Sequence, residues 1–135
     1  MSIARRCIGF ILLTVVLTVF AVVITPGTGL ALDPLHQYDT TLNQMLEAIQ
    51  SRSREQFVEH GDAKFKNGFN EKMFGQLFQL LGQRLRQGYD VTFLTTLRQQ
   101  DYLVYIWKLS FKDNKDDYII RMAVKDGTVM GFVIR

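Results

Sequence analysis

Apolar and polar positions alternate most regularly in the last third of the chain. Asp101 to Arg135 reads YLVYIWKLSF, a polar break, then YIIRMAVKDGTVMGFVI, which predicts three strands in a meander. Asp126-Gly127 between two β-rich runs is a hairpin signal, because a two-residue type I′ turn needs positive φ at both positions. That turn pairs Lys125 with Thr128, Val124 with Val129, Met122 with Gly131 and Ile120 with Val133. The preceding turn, Asp113 to Asp116, pairs Lys112 with Asp117 and Phe111 with Tyr118, then Leu109 with Ile120, Trp107 with Met122 and Tyr105 with Val124. Side chains alternate faces along a strand. Both turns, read separately, gather the same apolar set on one face, and a slip of one residue would scatter it.

The other face holds Lys108, Ser110, Arg121 and Lys125, but also Val104, Ile106, Ala123, Met130, Phe132 and Ile134. A fully solvated face is more polar than this. Val104, Ile106, Met130, Phe132 and Ile134 are therefore candidate interface residues, since a broad apolar patch marks a contact surface. Two covers fit it. One is a second sheet in a homodimer, with Lys108 and Arg121 at the rim or against a partner's carboxylates; the other is the chain's own connector or first helix.

Upstream the period changes to that of helices. Asp33-Pro34 supplies an N-cap and a first-turn proline, and Leu35, Tyr38, Leu42, Met45, Leu46 and Ile49 recur at helical spacing to about Arg52. Ser53 to Gln56 resembles a capping box and opens a short second helix ending near Gly61. Asp62 to Phe69 reads as a connector with two aromatics, Phe65 and Phe69. Asn70 and Glu71 start a third helix, striped by Met73, Phe74, Leu77, Phe78, Leu81 and Leu85 and ended by Gly88. Gly75 and Gly82 each cost that helix about 1 kcal/mol, so close packing is expected to compensate. Tyr89 to Arg98 is a first strand, turning at Gln99-Gln100. The pattern predicts an α+β fold: N-terminal helices packed on a curved four-stranded antiparallel sheet.

The N-terminus alters the picture of length and charge. Arg5-Arg6, the apolar run Cys7 to Ile24 and the small residues up to Ala31 have the parts of a secretory signal peptide, with a cut after Ala31. A membrane anchor left uncut is the alternative, since about 18 apolar residues border on spanning length. The expected division is thus 1–31 as signal or anchor and 32–135 as one domain. The product is exported, periplasmic or extracellular, or else held to the membrane by residues 7–24. Arg5-Arg6 matches a twin-arginine motif poorly, and Cys7 stands ahead of the apolar run rather than at a lipoprotein position. Without those two arginines the 16 Lys+Arg fall to 14 against 13 Asp+Glu, so the net charge of +3 drops to +1. No basic stripe with interleaved aromatics remains, which argues against nucleic acid. The single cysteine leaves with the signal, so about 104 residues must fold on their core alone.

Helices followed by a meander closing on VKDGTVMGFVI resemble the cystatin-like roll of the nuclear-transport-factor-two-like superfamily, and within it small exported bacterial proteins of unknown function. The residues carrying the resemblance run across most of Leu42 to Arg135: Phe57, Gly61-Asp62, Phe65, Phe74, Leu81-Gly82, Gly88-Tyr89, Leu94, Trp107-Lys108, Phe111, Asp116-Asp117, and Asp126-Gly127 through Gly131-Phe132. The resemblance implies a helix packed into a concave sheet over a cone-shaped pocket, and frequent dimers through the sheet. It implies a fold rather than a function, because some members are enzymes and many only bind.

Candidate chemistry is sparse. Catalytic members of that superfamily carry a His-Asp or Tyr-Asp pair in the cone, and His60-Gly-Asp62 is the nearest approach here. His36 and His60 otherwise read as surface or helix-end residues, with no Cys, His or carboxylate at metal-ligand spacing. Ser51, Ser53 and Ser110 sit in no nucleophile elbow. Asp113, Asp116 and Asp117 fit a hairpin turn better than a calcium loop. Tyr105, Trp107, Tyr118 and Met122, on the helix-facing side beside Gly131, are candidates to line an apolar ligand pocket, or simply to fill the core. The expectation is a non-enzymatic binding or interaction module without a cofactor, with small apolar-ligand binding as the alternative and an enzyme of the same fold behind it.

Overall fold

The structure, a computed structural model, describes residues 34–135, with side chains from residue 37. The segment 1–31, expected to be a signal or anchor, lies outside the described residues, as do the side chains of Leu35 and His36. Among the described residues four helices precede the sheet rather than three. Helix α1 (Pro34–Gln50) buries Tyr38, Leu42, Met45, Leu46 and Ile49 along one stripe. Ser53 caps α2 (Arg54–Val58) by accepting from the Gln56 N–H. The expected connector is itself α3 (Ala63–Gly68). Asp62 Oδ1 accepts from the Phe65 N–H at 2.7 Å, satisfying an amide that a helix start leaves without a partner. Asn70 does the same for Met73 at the start of α4 (Glu71–Gln87), and Gly88, at φ 111°, ends it.

Strands β1 (Tyr89–Gln99), β2 (Tyr102–Phe111), β3 (Tyr118–Lys125) and β4 (Thr128–Ile134) pair antiparallel in the order β1-β2-β3-β4. Asp126 and Gly127 have φ of 49° and 77°, as a type I′ turn demands. The register between β2 and β3 lies two residues from the expected one: Tyr105 faces Met122, Trp107 faces Ile120 and Leu109 faces Tyr118. A shift of two keeps every side chain on its face, so the apolar face survives.

Between β3 and β4 the expected pairing holds at Lys125–Thr128 and Val124–Val129, then slips by one at a bulge. Beyond it Ala123 faces Gly131, Met122 faces Phe132 and Ile120 faces Ile134. The single extra residue reverses the faces of the strand end. Phe132 points into the core and is 8% exposed, Ile134 packs against that core, and Gly131 and Val133 turn outward. Phe132 and Ile134 therefore belong to the inner face, not to an outer interface, and Gly131 does not open a space beside Trp107. A second bulge at Leu94 interrupts β1 against β2.

The helices cover the inner face, and Phe57 on α2 is the hub of that packing. Its ring lies 4.8 Å from Phe69, 5.5 Å from Phe74 and 5.3 Å edge-on from Phe132, tying three helices to β4. Aromatic pairs at these separations contribute about 0.5–1.5 kcal/mol beyond burial. A two-hydrogen-bond bridge fastens Gly61 to Val129: Val129 N–H donates to His60 C=O and Asp62 N–H to Val129 C=O.

Candidate functional site

One cleft opens on the inner side where the helical layer does not reach the first strand. Asp39 and Asn43, one turn apart on α1, form one wall. Tyr89, Asp90, Val91 and Phe93 of β1 form the other, and Trp107 of β2 is its floor. Its volume is about 400 Å³, within the range of small-molecule sites. Trp107 is 1% exposed, and an indole N–H so buried needs an acceptor. It donates to Asp39 Oδ1 at 2.7 Å, which fixes the carboxylate at the cleft wall. The Phe93 ring meets the indole edge-on at 6.1 Å.

The walls are polar, with Asp39 the carboxylate on the helix side, while Asp90, opposite Ser110, alternates to the outer side of β1. Burial pushes the Tyr89 phenol above its ordinary pKa and the Glu47 carboxylate adds to that, so the phenol stays protonated. Among the described residues no lysine, arginine or histidine lines the cleft. The expected pocket was apolar, and this one is not.

Of the four residues expected to line a pocket, Trp107 alone does so. Tyr105, 3% exposed, is wedged between Tyr38 at 4.5 Å and Trp107 at 5.9 Å, and Met122 is fully buried. Tyr118 packs edge-on against Phe111 at 5.9 Å, beside Arg84. These three fill or flank the core. Asp39 was missed because it reads as one of the polar residues between the apolar positions of α1. Its partner stands 68 residues away, a pairing that spacing along the chain does not encode.

His60 and Asp62 do not form an acid–base pair. His60 Nε2 lies 2.8 Å from Gln44 Oε1, and Asp62 is engaged in capping α3. Among the described residues no three His, Cys, Asp or Glu side chains converge as metal ligands, and no helix is long and apolar enough to cross a membrane.

The outer face of the sheet is the second candidate. Leu97, Ile106, Ile119 and Val133 emerge there, with Leu97 40%, Ile119 39% and Val133 43% exposed. Val104, at the centre of this face, is only 5% exposed and yet stands outside the helix-covered core. Over it lies a shallow depression of about 190 Å³ walled by Arg121, Ala123, Val133 and Arg135. Met130, at the bulge, lines a different groove beside Phe65 and Met73. Lys108 pairs with Asp117 at 3.7 Å and Lys125 with Asp101 at 3.5 Å, while Arg121 and Arg135 stand exposed at the depression. No family model matches the chain, and no curated protein matches it.

Proposed function

We propose that the protein is an exported, non-enzymatic interaction module that works through the outer face of its sheet, self-associating face to face with a second copy. The observation that carries this reading is the outer apolar set, to which three strands and the edge strand β1 all contribute while every described helix packs on the opposite side. Leu97, Val104, Ile106, Ile119 and Val133 replace the set expected from alternation alone, Val104 and Ile106 being common to both. The depression over Val104 accepts a protruding side chain, and Arg121 beside it favours a carboxylate from the facing surface.

Light scattering on the purified protein tests it. The wild type should run as a dimer at micromolar concentration. Ile106→Asp with Val133→Asp should give a monomer with unchanged circular dichroism, because neither residue joins the helix-covered core. A wild-type monomer, or a dimer untouched by both substitutions, overturns the proposal.

A further inference from the structure

We propose that two copies meet about a two-fold axis running along the strands, so that Leu97 of each enters the hollow over Gly131 of the other and Asp90 lies against the other's Arg135. This rests on the face-to-face reading above and specifies which part of the partner each residue meets. The outer face is uneven along one cross-strand row. Leu97 on β1 stands opposite Val104, Val104 opposite Ala123, and Ala123 opposite Gly131 on β4. The row therefore falls from a leucine, 40% exposed, at one edge of the sheet to a glycine at the other. The depression of about 190 Å³ lies toward the low end, beside Ala123, Gly131 and Val133.

Charge is uneven in the same direction. Lys108 and Lys125 are neutralised within the copy by Asp117 and Asp101. Among the described residues no hydrogen bond or ion pair engages the exposed side chains of Asp90, Arg121 and Arg135. Asp90 lies opposite Ser110 on the β1 edge, and Arg135 bonds through its backbone to Ile119, the neighbour of Lys108. Both stand at the same end of the sheet on opposite edges. Three strand spacings of about 4.8 Å separate them, too far to pair within one copy.

A self-complementary interface closes about a two-fold axis, and packed sheets keep their strands within about 30° of each other. The axis then runs either along the strands or across them. Along the strands, β1 lies over β4 of the partner at the same height. Leu97 meets the hollow at Gly131, and Asp90 comes within one same-face step, about 7 Å, of Arg135, which the long arginine side chain spans. Arg121 comes over Ile106 of the partner, next to a lysine that Asp117 already neutralises. Across the strands, β4 lies over β4 and hollow faces hollow, which forfeits the dispersion contacts of the lining. Arg121, near the middle of the face, would then approach its own symmetry mate, a like-charge contact that costs affinity. Packing and charge select the same axis.

Sedimentation of the full-length protein and its variants gives the dimer dissociation constant. Gly131 has no positive φ, and a Cβ there meets only the Ala123 Cβ at 3.8 Å, so Gly131→Leu fills the hollow without straining the monomer. It should weaken the dimer by about tenfold or more, and adding Leu97→Ala, which clears the space opposite, should recover most of the loss. Asp90→Arg and Arg135→Asp should each weaken the dimer at low salt, by about fivefold or more, and the two together should recover it. Circular dichroism should be unchanged throughout. A wild-type monomer overturns the face-to-face reading itself. A wild-type dimer that tolerates Gly131→Leu, or in which either double variant fails to recover what its single variants lose, overturns this orientation and leaves that reading standing.

Discussion

The guanidinium of Arg84, on α4, holds the carboxylate of Asp113, in the β2–β3 loop, through two hydrogen bonds of 2.8 and 3.1 Å. It also donates to the Asp116 carbonyl at 3.0 Å and lies 3.8 Å over the Phe111 ring. Paired, planar donors of this kind are specific to arginine, and lysine cannot reproduce them. The loop that would otherwise be a bare turn is thereby fastened to the last helix.

This contact sets a pH dependence. The hydrogen bonds from Arg84 hold the Asp113 carboxyl down to about 2, against an ordinary 3.8. A depressed folded-state pKa means that the unfolded chain binds the proton more tightly, so stability falls as that proton is taken up. The contribution is complete above the ordinary value and fades as pH drops from 3.8 toward about 2. Asp113→Asn should therefore unfold at lower urea than the wild type at neutral pH, with the gap closing through that acid window. A gap that stays constant down to the lowest pH would show that the ion pair contributes nothing.

Phe132 and Val133 are neighbours in sequence with opposite fates, and they test the β4 bulge directly. Phe132 packs edge-on against Phe57 and is 8% exposed, whereas Val133 is 43% exposed on the outer face. Phe132→Ala should destabilise by about 3–5 kcal/mol, and Val133→Ala should stay within about 0.5 kcal/mol in dilute protein. Chemical denaturation of both variants checks this. The reverse order would restore the unbulged pairing.

That pair also marks where the sequence stops being legible. Strand existence, the Asp126-Gly127 turn and the inward set of β2 and β3 follow from a period of two, and period survives a register shift of two. TVMGFVI is apolar throughout, so alternation within it cannot reveal a bulge that reverses its end. The loop before β3 is longer than a four-residue turn, and its Asp113 is held by Arg84, a partner 29 residues earlier that spacing along the chain does not encode. Helix α3 escaped notice because six residues carry too few turns to show a period. The cleft escaped because it depends on Asp39 meeting Trp107, which only the folded chain brings about.

Three glycines around α4 separate packing from backbone geometry. The sequence suggested that close packing compensates for both Gly75 and Gly82. At Gly82 it does: a Cβ there would lie 2.7 Å from the Phe78 ring, which folds over the glycine. Nothing lies within 4 Å of a Cβ at Gly75, so that glycine weakens the helix with no packing in return. Gly75→Ala should stabilise by about 0.5–1 kcal/mol, from helix propensity and a less flexible unfolded chain. Gly88 is the opposite case. It sits at φ 111°, and a Cβ would come 2.8 Å from the Lys112 side chain, whose own backbone N–H donates to the Gly88 carbonyl. The lysine chain can swing aside, but the backbone conformation remains strained for any L residue, so Gly88→Ala should lose about 1–3 kcal/mol. Thermal unfolding of the two variants should move in opposite directions. If Gly88→Ala were neutral, the α4–β1 corner would have to reach its geometry without a left-handed residue.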